Sequence, residues 1–426
     1  MRKLFVVAFL TLAMSFYVFP ISFTFLPPSV NSKMFLAAFG LLAFVFDSAR
    51  KGSVDVSETT LLAGFISVIF SGWCLFSIIL NNTRDTTYVT YFVSFFTWML
   101  GAYGVLALMR LFYDEVGLPE VTRYLALVGV FQCISAVLID NNAAFGSFVD
   151  SFMNQGQEFY KLRHRLYGIG AALDPAGIRF SVILVMIANQ FSAESRKKRT
   201  DNRYQAAYLV SFAIITVIGA VISRTTVVGA GMGIAYIGIS LVRLRKGGFI
   251  TLNLLRVYVV FVLVMTLILA AIVYFYSTSD TFYNYLRFGF EGFFSYFETG
   301  EFRTNSTDEL SDMWVWPADR TTWLLGRGTF GVFDNFTDIG YCNFILYCGL
   351  IGMAIFSFYF ILCHWMLNRK FRDFYITSLL LIALTFIVWL KVTTDIFFID
   401  ALLLCAAADS IEAEEEKEAI PELSES

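Results

Sequence analysis

The sequence is divided into apolar runs, each about long enough to cross a hydrocarbon layer roughly 30 Å thick. Inside a bilayer every backbone N–H and C=O needs a partner within the protein, so such runs predict α-helices. The expected spans are residues 4–26, 34–48, 60–80, 89–109, 124–140, 177–193, 206–222, 225–242, 255–277, 339–365, 374–390 and 396–410. The pattern therefore predicts an all-α polytopic membrane protein of about 12 transmembrane helices.

Composition supports this class and argues against several others. Only 15% of the residues are charged, whereas a soluble domain carries about a quarter. The six cysteines lie in or beside apolar runs without a CxxC spacing, and the chain has two histidines. This pattern indicates neither a disulfide framework nor a metal site. No metal, no other cofactor and no nucleic-acid partner are expected.

The first apolar run begins "MRKLFVVAFLTLAMSFYVF" and resembles a signal peptide in its basic tip. The run extends to about residue 26, and no small-residue cleavage site follows it. We therefore expect a retained first helix.

The basic residues predict the orientation in the membrane. Short connections on one side are rich in Lys and Arg, as in "SRKKRTDNR" (195–203) and "NRKFR" (368–372). By the positive-inside rule this side is the cytoplasm, and an even number of spans places both termini there. We expect a single transmembrane domain over residues 1–410 and a solvated acidic cytoplasmic tail over residues 411–426.

Two long connections, at about 141–176 and 278–338, lie on the opposite side of the predicted topology. Connections of this length in a compact protein are usually functional or disordered. The second contains Trp314, Trp316 and the aromatic stretch "YNYLRFGFEGFFSYF" (283–297), which disordered segments lack. We expect this segment to fold, with amphipathic helices on the membrane surface.

Several arginines gather on this outer side, where the guanidinium fork suits phosphate oxygens and stays charged. They are Arg163, Arg165, Arg179, Arg224, Arg287, Arg303, Arg320 and Arg327. The alternative is that they reach lipid headgroups or pair with loop carboxylates, which is favoured for Arg163, Arg287 and Arg303. A functional role is favoured for Arg179 and Arg224, because each begins or ends a span without a long linker.

Two further ionisable residues, Asp400 and His364, lie within predicted spans. Asp400 is inside the last span, where an acid is a functional candidate by default, although a partner such as Lys391 would make it structural. His364 ends a span on the cytoplasmic side and is interpreted as structural.

Three stretches resemble the O-antigen polymerase (Wzy-type) and O-antigen ligase group of bacterial inner-membrane glycosyltransferases. They are "RLYGIGAALDPAGIR", "SRTTVVGAGMG" and "LLGRGTFGVFDNFTDIGYCNFILYCGLIG", and the resemblance covers about residues 160–355. The positions that match the group's motifs are Arg165, Gly168, Asp174, Pro175, Ser223, Arg224, Thr225, Gly326, Gly328, Asp338, Gly340, Tyr341, Gly349 and Gly352.

The resemblance implies a GT-C-like fold in the bacterial inner membrane and a reaction on the periplasmic face. A glycan carried on undecaprenyl diphosphate is transferred to a hydroxyl of the acceptor sugar on another lipid-linked repeat unit. The group uses no nucleotide sugar and is taken to need no metal. The implied partners are the lipid-linked glycan and the bilayer, with a chain-length regulator and a flippase as further candidates.

Roles for individual residues follow from the resemblance and from the arginine chemistry. The expected diphosphate-binding residues are Arg165, Arg179, Arg224 and Arg327, and the expected substrate-binding residues are Arg320, Trp314, Trp316 and Asp174. The catalytic candidates are His164, Asp338 and Tyr341. His164 is the single histidine of the outer side and suits a general base, although it is also typical of an exposed basic loop. Asp338 is the other base candidate, and its alternative role is to cap the following helix.

Three functions stay open at this point. Ligases of the group, which transfer the polymer to lipid A–core, carry a histidine in the large outer loop. Residues 278–338 contain none, which favours a polymerase. A lipid-linked oligosaccharide flippase is less favoured, because the predicted spans hold few deep charges and one outer segment is long and aromatic.

Overall fold

The computed structural model describes most of the chain. The described residues are 2–27, 29–154, 156–162, 165–195, 202–244, 273–371 and 374–407, with a few isolated positions between 245 and 272.

Helices account for nearly all of the regular structure in the described residues. The first ten are α1 (Arg2–Val18), α2 (Ser32–Lys51), α3 (Glu58–Asn81), α4 (Tyr91–Arg110), α5 (Leu118–Asn141), α6 (Ala143–Phe152), α7 (Gln157–Leu162), α8 (Leu173–Ser195), α9 (Asn202–Ile222) and α10 (Thr226–Leu244). The others are α11 (Asp280–Gly289), α12 (Glu291–Thr299), α13 (Asn305–Ser311), α14 (Arg320–Leu325), α15 (Val332–Asn335), α16 (Gly340–Lys370), α17 (Tyr375–Val388) and α18 (Phe397–Ala407).

The first helix is shorter than predicted. It ends at Val18 rather than near residue 26, and Pro20, which has no N–H to donate, follows two residues later. The chain then forms β1 (Ser22–Phe23), which pairs antiparallel with β2 (Met153–Asn154). The hydropathy pattern did not indicate this stop, because the residues after Val18 are still apolar.

Seven of the described helices are long and apolar enough to cross a membrane. They are α2, α3, α4, α5, α16 and most of α8 and α9, and α10, α17 and α18 contain shorter apolar helices. The prediction of an all-α polytopic membrane protein is thus confirmed in its coarse form. Most of the expected span at 255–277 lies outside the described residues. The count of about 12 spans and the GT-C-like arrangement stay predictions.

The chain divides into two compact units. Unit 1 comprises Met1–Ala13, Ser32–Leu118 and Asn305–Ser426, and unit 2 comprises Met14–Asn31 and Pro119–Thr304. In unit 1, α3 packs on α4 and α16, α2 on α4, and α16 also on α14 and α17. In unit 2, α8 packs on both α9 and α10, and α11 packs on α9. Most of α8 is buried in the protein, so it is the central helix of unit 2.

The two long connections contain short helices. The first holds α6 and α7, with the irregular residues 165–172 before α8. The second holds α11 to α15, so the expectation of helices in this segment is confirmed. Their location on a membrane surface stays a prediction.

Candidate functional site

The turn between α9 and α10, residues 223–225, is held from two sides by α8. The Asp174 carboxylate accepts hydrogen bonds from the Thr225 hydroxyl at 2.9 Å and from the Ser223 hydroxyl at 3.4 Å. The Ser181 hydroxyl donates to the Thr225 carbonyl at 2.9 Å and accepts from the Gly229 N–H at 3.2 Å. The "SRT" turn is therefore fixed to the central helix of unit 2, and the predicted substrate contact Asp174 supports this turn.

Arg224 extends from this turn to the junction of α11 and α12. Its Nε donates to the Phe288 carbonyl at 3.1 Å, and its Nη2 lies 2.7 Å from a carboxylate oxygen of Glu291. Its guanidinium carbon is 4.3 Å from the centre of the Phe288 ring, within cation–π range. The Arg224 side chain is 19% exposed, so the guanidinium is largely enclosed and yet accessible.

A close backbone approach positions this junction. A Cβ on Gly289 would lie 3.1 Å from the Ala220 carbonyl carbon, so a glycine lets α11 approach the last turn of α9. Phe288 directly precedes Gly289, and Glu291 begins α12 two residues after Gly289. The partners of Arg224 are thus brought to the end of α9 by the packing of α11.

Arg165 meets the same aromatic ring. Its guanidinium carbon lies 5.7 Å from the centre of Phe288. Both distances are measured from one ring centre, so the guanidinium carbons of Arg165 and Arg224 are separated by no more than their sum, 10.0 Å. Arg165 is exposed. The structure therefore brings together two of the four arginines that the sequence predicts for diphosphate binding.

Arg179, the third of these arginines, lies on the second turn of α8 after Asp174. Its guanidinium carbon is 5.8 Å from the centre of the Phe19 ring, which itself packs on Phe180 with ring centres 5.2 Å apart. Arg179 is half-buried. Its aromatic contact is therefore different from the ring that Arg165 and Arg224 share.

Two tyrosine–aspartate pairs in unit 2 were not predicted from the sequence. The Tyr285 hydroxyl donates to the Asp140 carboxylate at 2.9 and 3.0 Å, and the Tyr167 hydroxyl lies 3.3 Å from both carboxylate oxygens of Asp150. Burial, followed by the hydrogen bond that Tyr285 donates to Asp140, raises the pKa of Tyr285 to about 12. Burial, followed by the charge of Asp150, raises the pKa of Tyr167 to about 12.

These pairs adjoin the arginines through the chain. Tyr285 and Phe288 are three residues apart on α11 and therefore lie on one face of that helix. Tyr167 follows Arg165 by two residues. Asp140 and Tyr285 are more than 100 positions apart in the sequence, so no local sequence pattern could reveal their pairing.

In unit 1, α16 is interrupted at Gly349, which has φ 70° and ψ −179°. The interruption leaves the carbonyls before it available to other donors. Arg327 N–H donates to the Leu346 carbonyl at 2.7 Å, and Gly328 N–H donates to the Tyr347 carbonyl at 3.1 Å. A Cβ on Gly349 would lie 2.1 Å from the Leu324 carbonyl oxygen, so a glycine is required for the docking of this segment.

The side chain of Arg327, the fourth predicted diphosphate ligand, is held by its own segment. Nη2 donates to the Asn335 side-chain oxygen at 2.6 Å, and Nε donates to the Thr329 hydroxyl at 3.0 Å. The amide of buried Asn335 in turn donates to Asn343 on α16 at 3.1 Å. Arg327 thereby fixes the segment before α16, and the residue is half-buried.

The catalytic candidates have different surroundings. Asp338 is exposed, and the residue at the cap position of α16 is Ile339, without a side-chain cap bond, so the alternative that Asp338 caps this helix is wrong. The Tyr341 hydroxyl donates to the Phe386 carbonyl at 2.9 Å. His164 and Arg163 lie outside the described residues.

The predicted substrate-binding tryptophans, Trp314 and Trp316, form a row of neighbouring rings with Trp323. The ring centres of Trp314 and Trp316 are 5.4 Å apart, and those of Trp316 and Trp323 are 5.5 Å apart at an angle of 12°. Trp323 Nε1 donates to the Pro317 carbonyl at 2.9 Å, which holds the Trp323 ring in place at one end of this row. Arg320, at the start of α14, is exposed beside these residues in the chain.

Arg287 and Arg303 pair with loop carboxylates, which is one of the structural roles favoured for them from the sequence. Arg287 pairs with Glu298 through two hydrogen bonds of 2.7 and 2.8 Å, and Arg303 lies 3.4 Å from Glu301. Their pairing with loop carboxylates is confirmed.

No known protein family, curated protein or solved structure matches this chain. The candidate site is therefore defined by its own geometry. In unit 2, the cationic side chains of Arg165 and Arg224 contact the Phe288 ring, and Arg224 is also paired with a carboxylate. Two tyrosine–aspartate pairs involve residues that lie close to these in the sequence. Such an arrangement can bind an anion that contains more than one phosphate and can accept a proton close by.

Proposed function

We propose that the protein is a polysaccharide polymerase of the bacterial inner membrane. It transfers a glycan from undecaprenyl diphosphate to a hydroxyl of the acceptor sugar on another lipid-linked repeat unit, on the periplasmic face. The bond between the anomeric carbon and the diphosphate oxygen breaks, and a bond from the acceptor oxygen to that carbon forms. The lipid diphosphate leaves, and the hydroxyl proton passes to a base.

The observation that carries the proposal is the contact of Arg165 and Arg224 with one ring. A diphosphate gains negative charge as its glycosidic bond breaks, and fixed cations that face it stabilise the transition state more than the ground state. Glu291 neutralises part of the charge of Arg224, whereas Arg165 is exposed and keeps the cluster cationic. The apolar Phe288 ring that both arginines contact suits the lipid end of the donor.

The proposed base is a carboxylate. Asp140 and Asp150 join Asp338 as candidates, since the carboxylates of Asp140 and Asp150 already accept a hydrogen bond from a tyrosine. A sugar hydroxyl could take the place of the tyrosine at such an oxygen. Trp314 and Trp316 are proposed to stack against sugar rings, because their indole faces are partly exposed, by 42% and 46%.

The alternative is an O-antigen ligase, and a flippase is the third candidate. Glycan analysis of a strain that lacks the protein separates the three. Loss of the polymerase leaves one repeat unit on the final glycolipid, and loss of a ligase leaves long polymer on undecaprenyl diphosphate. Loss of a flippase leaves single lipid-linked units on the cytoplasmic side. The proposal predicts the first outcome, and either of the others contradicts it.

A further inference from the structure

His364 and Asp400 form a contact between two ionisable groups inside unit 1. His364 lies on α16 and Asp400 on α18, and both side chains are fully buried. The imidazole Nε2 is 3.5 Å from a carboxylate oxygen. Within the described part of the chain, neither nitrogen of His364 and neither carboxylate oxygen of Asp400 makes a hydrogen bond.

An ionised Asp400 would be poorly stabilised in this position. A buried carboxylate needs several hydrogen bonds or a close cation, and among the described residues the contact of Asp400 is one imidazole at 3.5 Å. Asp395, just before α18, is close enough for its charge to act on Asp400, and two like charges repel each other. A carboxylic acid facing a neutral imidazole avoids both costs.

The groups around the pair also favour a protonated Asp400 beside a neutral His364. On α16, Tyr359 and Cys363 are within electrostatic range of Asp400, and the buried Tyr359 hydroxyl has no hydrogen-bond partner among the described residues. From α4, Tyr91 packs edge-on to Tyr359 at 5.9 Å and donates to Asp395 at 3.2 Å. From α17, the Ser378 hydroxyl contacts the His364 carbonyl. None of these groups is a cation.

We propose that Asp400 and His364 form a proton-binding site in the membrane domain that holds one proton at neutral pH. The proton resides on the Asp400 carboxyl and is shared towards Nε2 of His364. Its release would place a second negative charge beside Asp395, which Tyr91 links to the segment before α18. Proton occupancy is thereby coupled to the packing of α18 on α16. The site is independent of the glycosyl transfer proposed above.

Infrared spectroscopy of the full chain in lipid nanodiscs tests this site directly. A protonated carboxyl has a C=O stretching band that is separate from the bands of a carboxylate. We expect such a band at neutral pH in the unmodified protein and its loss in Asp400→Asn, which preserves shape. Asp338→Asn, at an exposed acid of the same unit, is the matched control and should leave the band unchanged. Loss of a carboxylate band instead, in Asp400→Asn, would overturn the proposal.

A second variant keeps the test decisive if Asp400→Asn does not fold. His364→Phe removes the imidazole acceptor and keeps an aromatic ring. The Asp400 carboxyl then loses its hydrogen-bond acceptor, so its C=O band should move to higher frequency. A band that stays in place in His364→Phe would show that the imidazole does not share the proton.

Discussion

The Arg224 guanidinium lies 2.7 Å from the Glu291 carboxylate while its face covers the Phe288 ring at 4.3 Å. A largely enclosed cation at the end of a membrane helix thus has an internal counter-charge. This geometry fits two roles of the Arg224–Glu291 pair. The pair could serve the structure alone, or Arg224 could bind an anion while Glu291 neutralises part of its charge. The two roles differ in how the two partners respond to substitution.

Substitution of each partner in turn separates these roles. Arg224→Gln removes a charged donor and should weaken binding of a polyprenyl diphosphate by roughly 10- to 150-fold, which corresponds to about 1.5–3 kcal/mol. Glu291→Gln keeps the shape but removes the competing carboxylate, so binding should be unchanged or severalfold tighter. Equilibrium binding to the purified variants measures both. Equal losses in the two variants would indicate a structural pair.

The interruption of α16 predicts a specific glycine requirement. Gly349→Ala places a Cβ against the Leu324 carbonyl at a positive φ, so we expect a loss of about 3 kcal/mol or more, or failure to fold. Gly231→Ala is the control, because no atom lies within 4 Å of the added Cβ. That helix-interior change should stabilise α10 by about 0.5–1 kcal/mol. Thermal unfolding in detergent measures both, and similar stabilities for the two variants would contradict this account of the break.

Asp174 is expected to support the turn that carries Arg224. Asp174→Ala removes the acceptor of the Thr225 hydroxyl and should lower the free energy of unfolding by about 1–3 kcal/mol. Asp174→Asn keeps a side-chain oxygen and should cost less. The measurement is denaturant unfolding of the purified variants. An alanine variant as stable as the unmodified protein would show that the turn does not depend on this bond.

The Tyr285–Asp140 pair predicts that the stability of the folded protein falls at alkaline pH. The pKa of Tyr285 is raised to about 12, whereas an unfolded tyrosine titrates near 10. The stability that comes from this hydrogen bond is therefore fully present below pH 10 and is lost as the pH rises from about 10 to 12. Because the pair is partly solvated, we expect about 1 kcal/mol.

The readout is the stability difference between the unmodified protein and Tyr285→Phe as a function of pH. The difference should shrink between about pH 10 and 12. A difference that stays constant across this window would mean that the hydroxyl proton is not held by Asp140.

Many of the helices could be predicted, because an apolar span is visible in a single continuous stretch of sequence. The span expected at 60–80 is the helix Glu58–Asn81, and the one expected at 206–222 is Asn202–Ile222. The break at Gly349 was not predicted, since it depends on a segment that docks from residues 324–328. Local composition shows a glycine in an apolar run but not the carbonyl that faces it.

The site was predicted only in part for the same reason. Arg224 stood out because a cation between two apolar runs is costly, and that cost is visible in the sequence. Its partners Phe288 and Glu291 are more than 60 positions away and are brought to it by the packing of α11 on α9. The acids Asp140 and Asp150 likewise carry no local signature, because their tyrosine partners lie on other elements.

The most direct test of the central claim is an elongation assay with purified protein and undecaprenyl-diphosphate-linked repeat units. Arg287→Ala is the matched control, because Arg287 also lies 2.7 Å from a glutamate but has a far more exposed side chain. We expect long glycan from the unmodified protein and from Arg287→Ala, and none from a folded Arg224→Ala. Normal chain length from Arg224→Ala, or no elongation by the unmodified protein, would contradict the account.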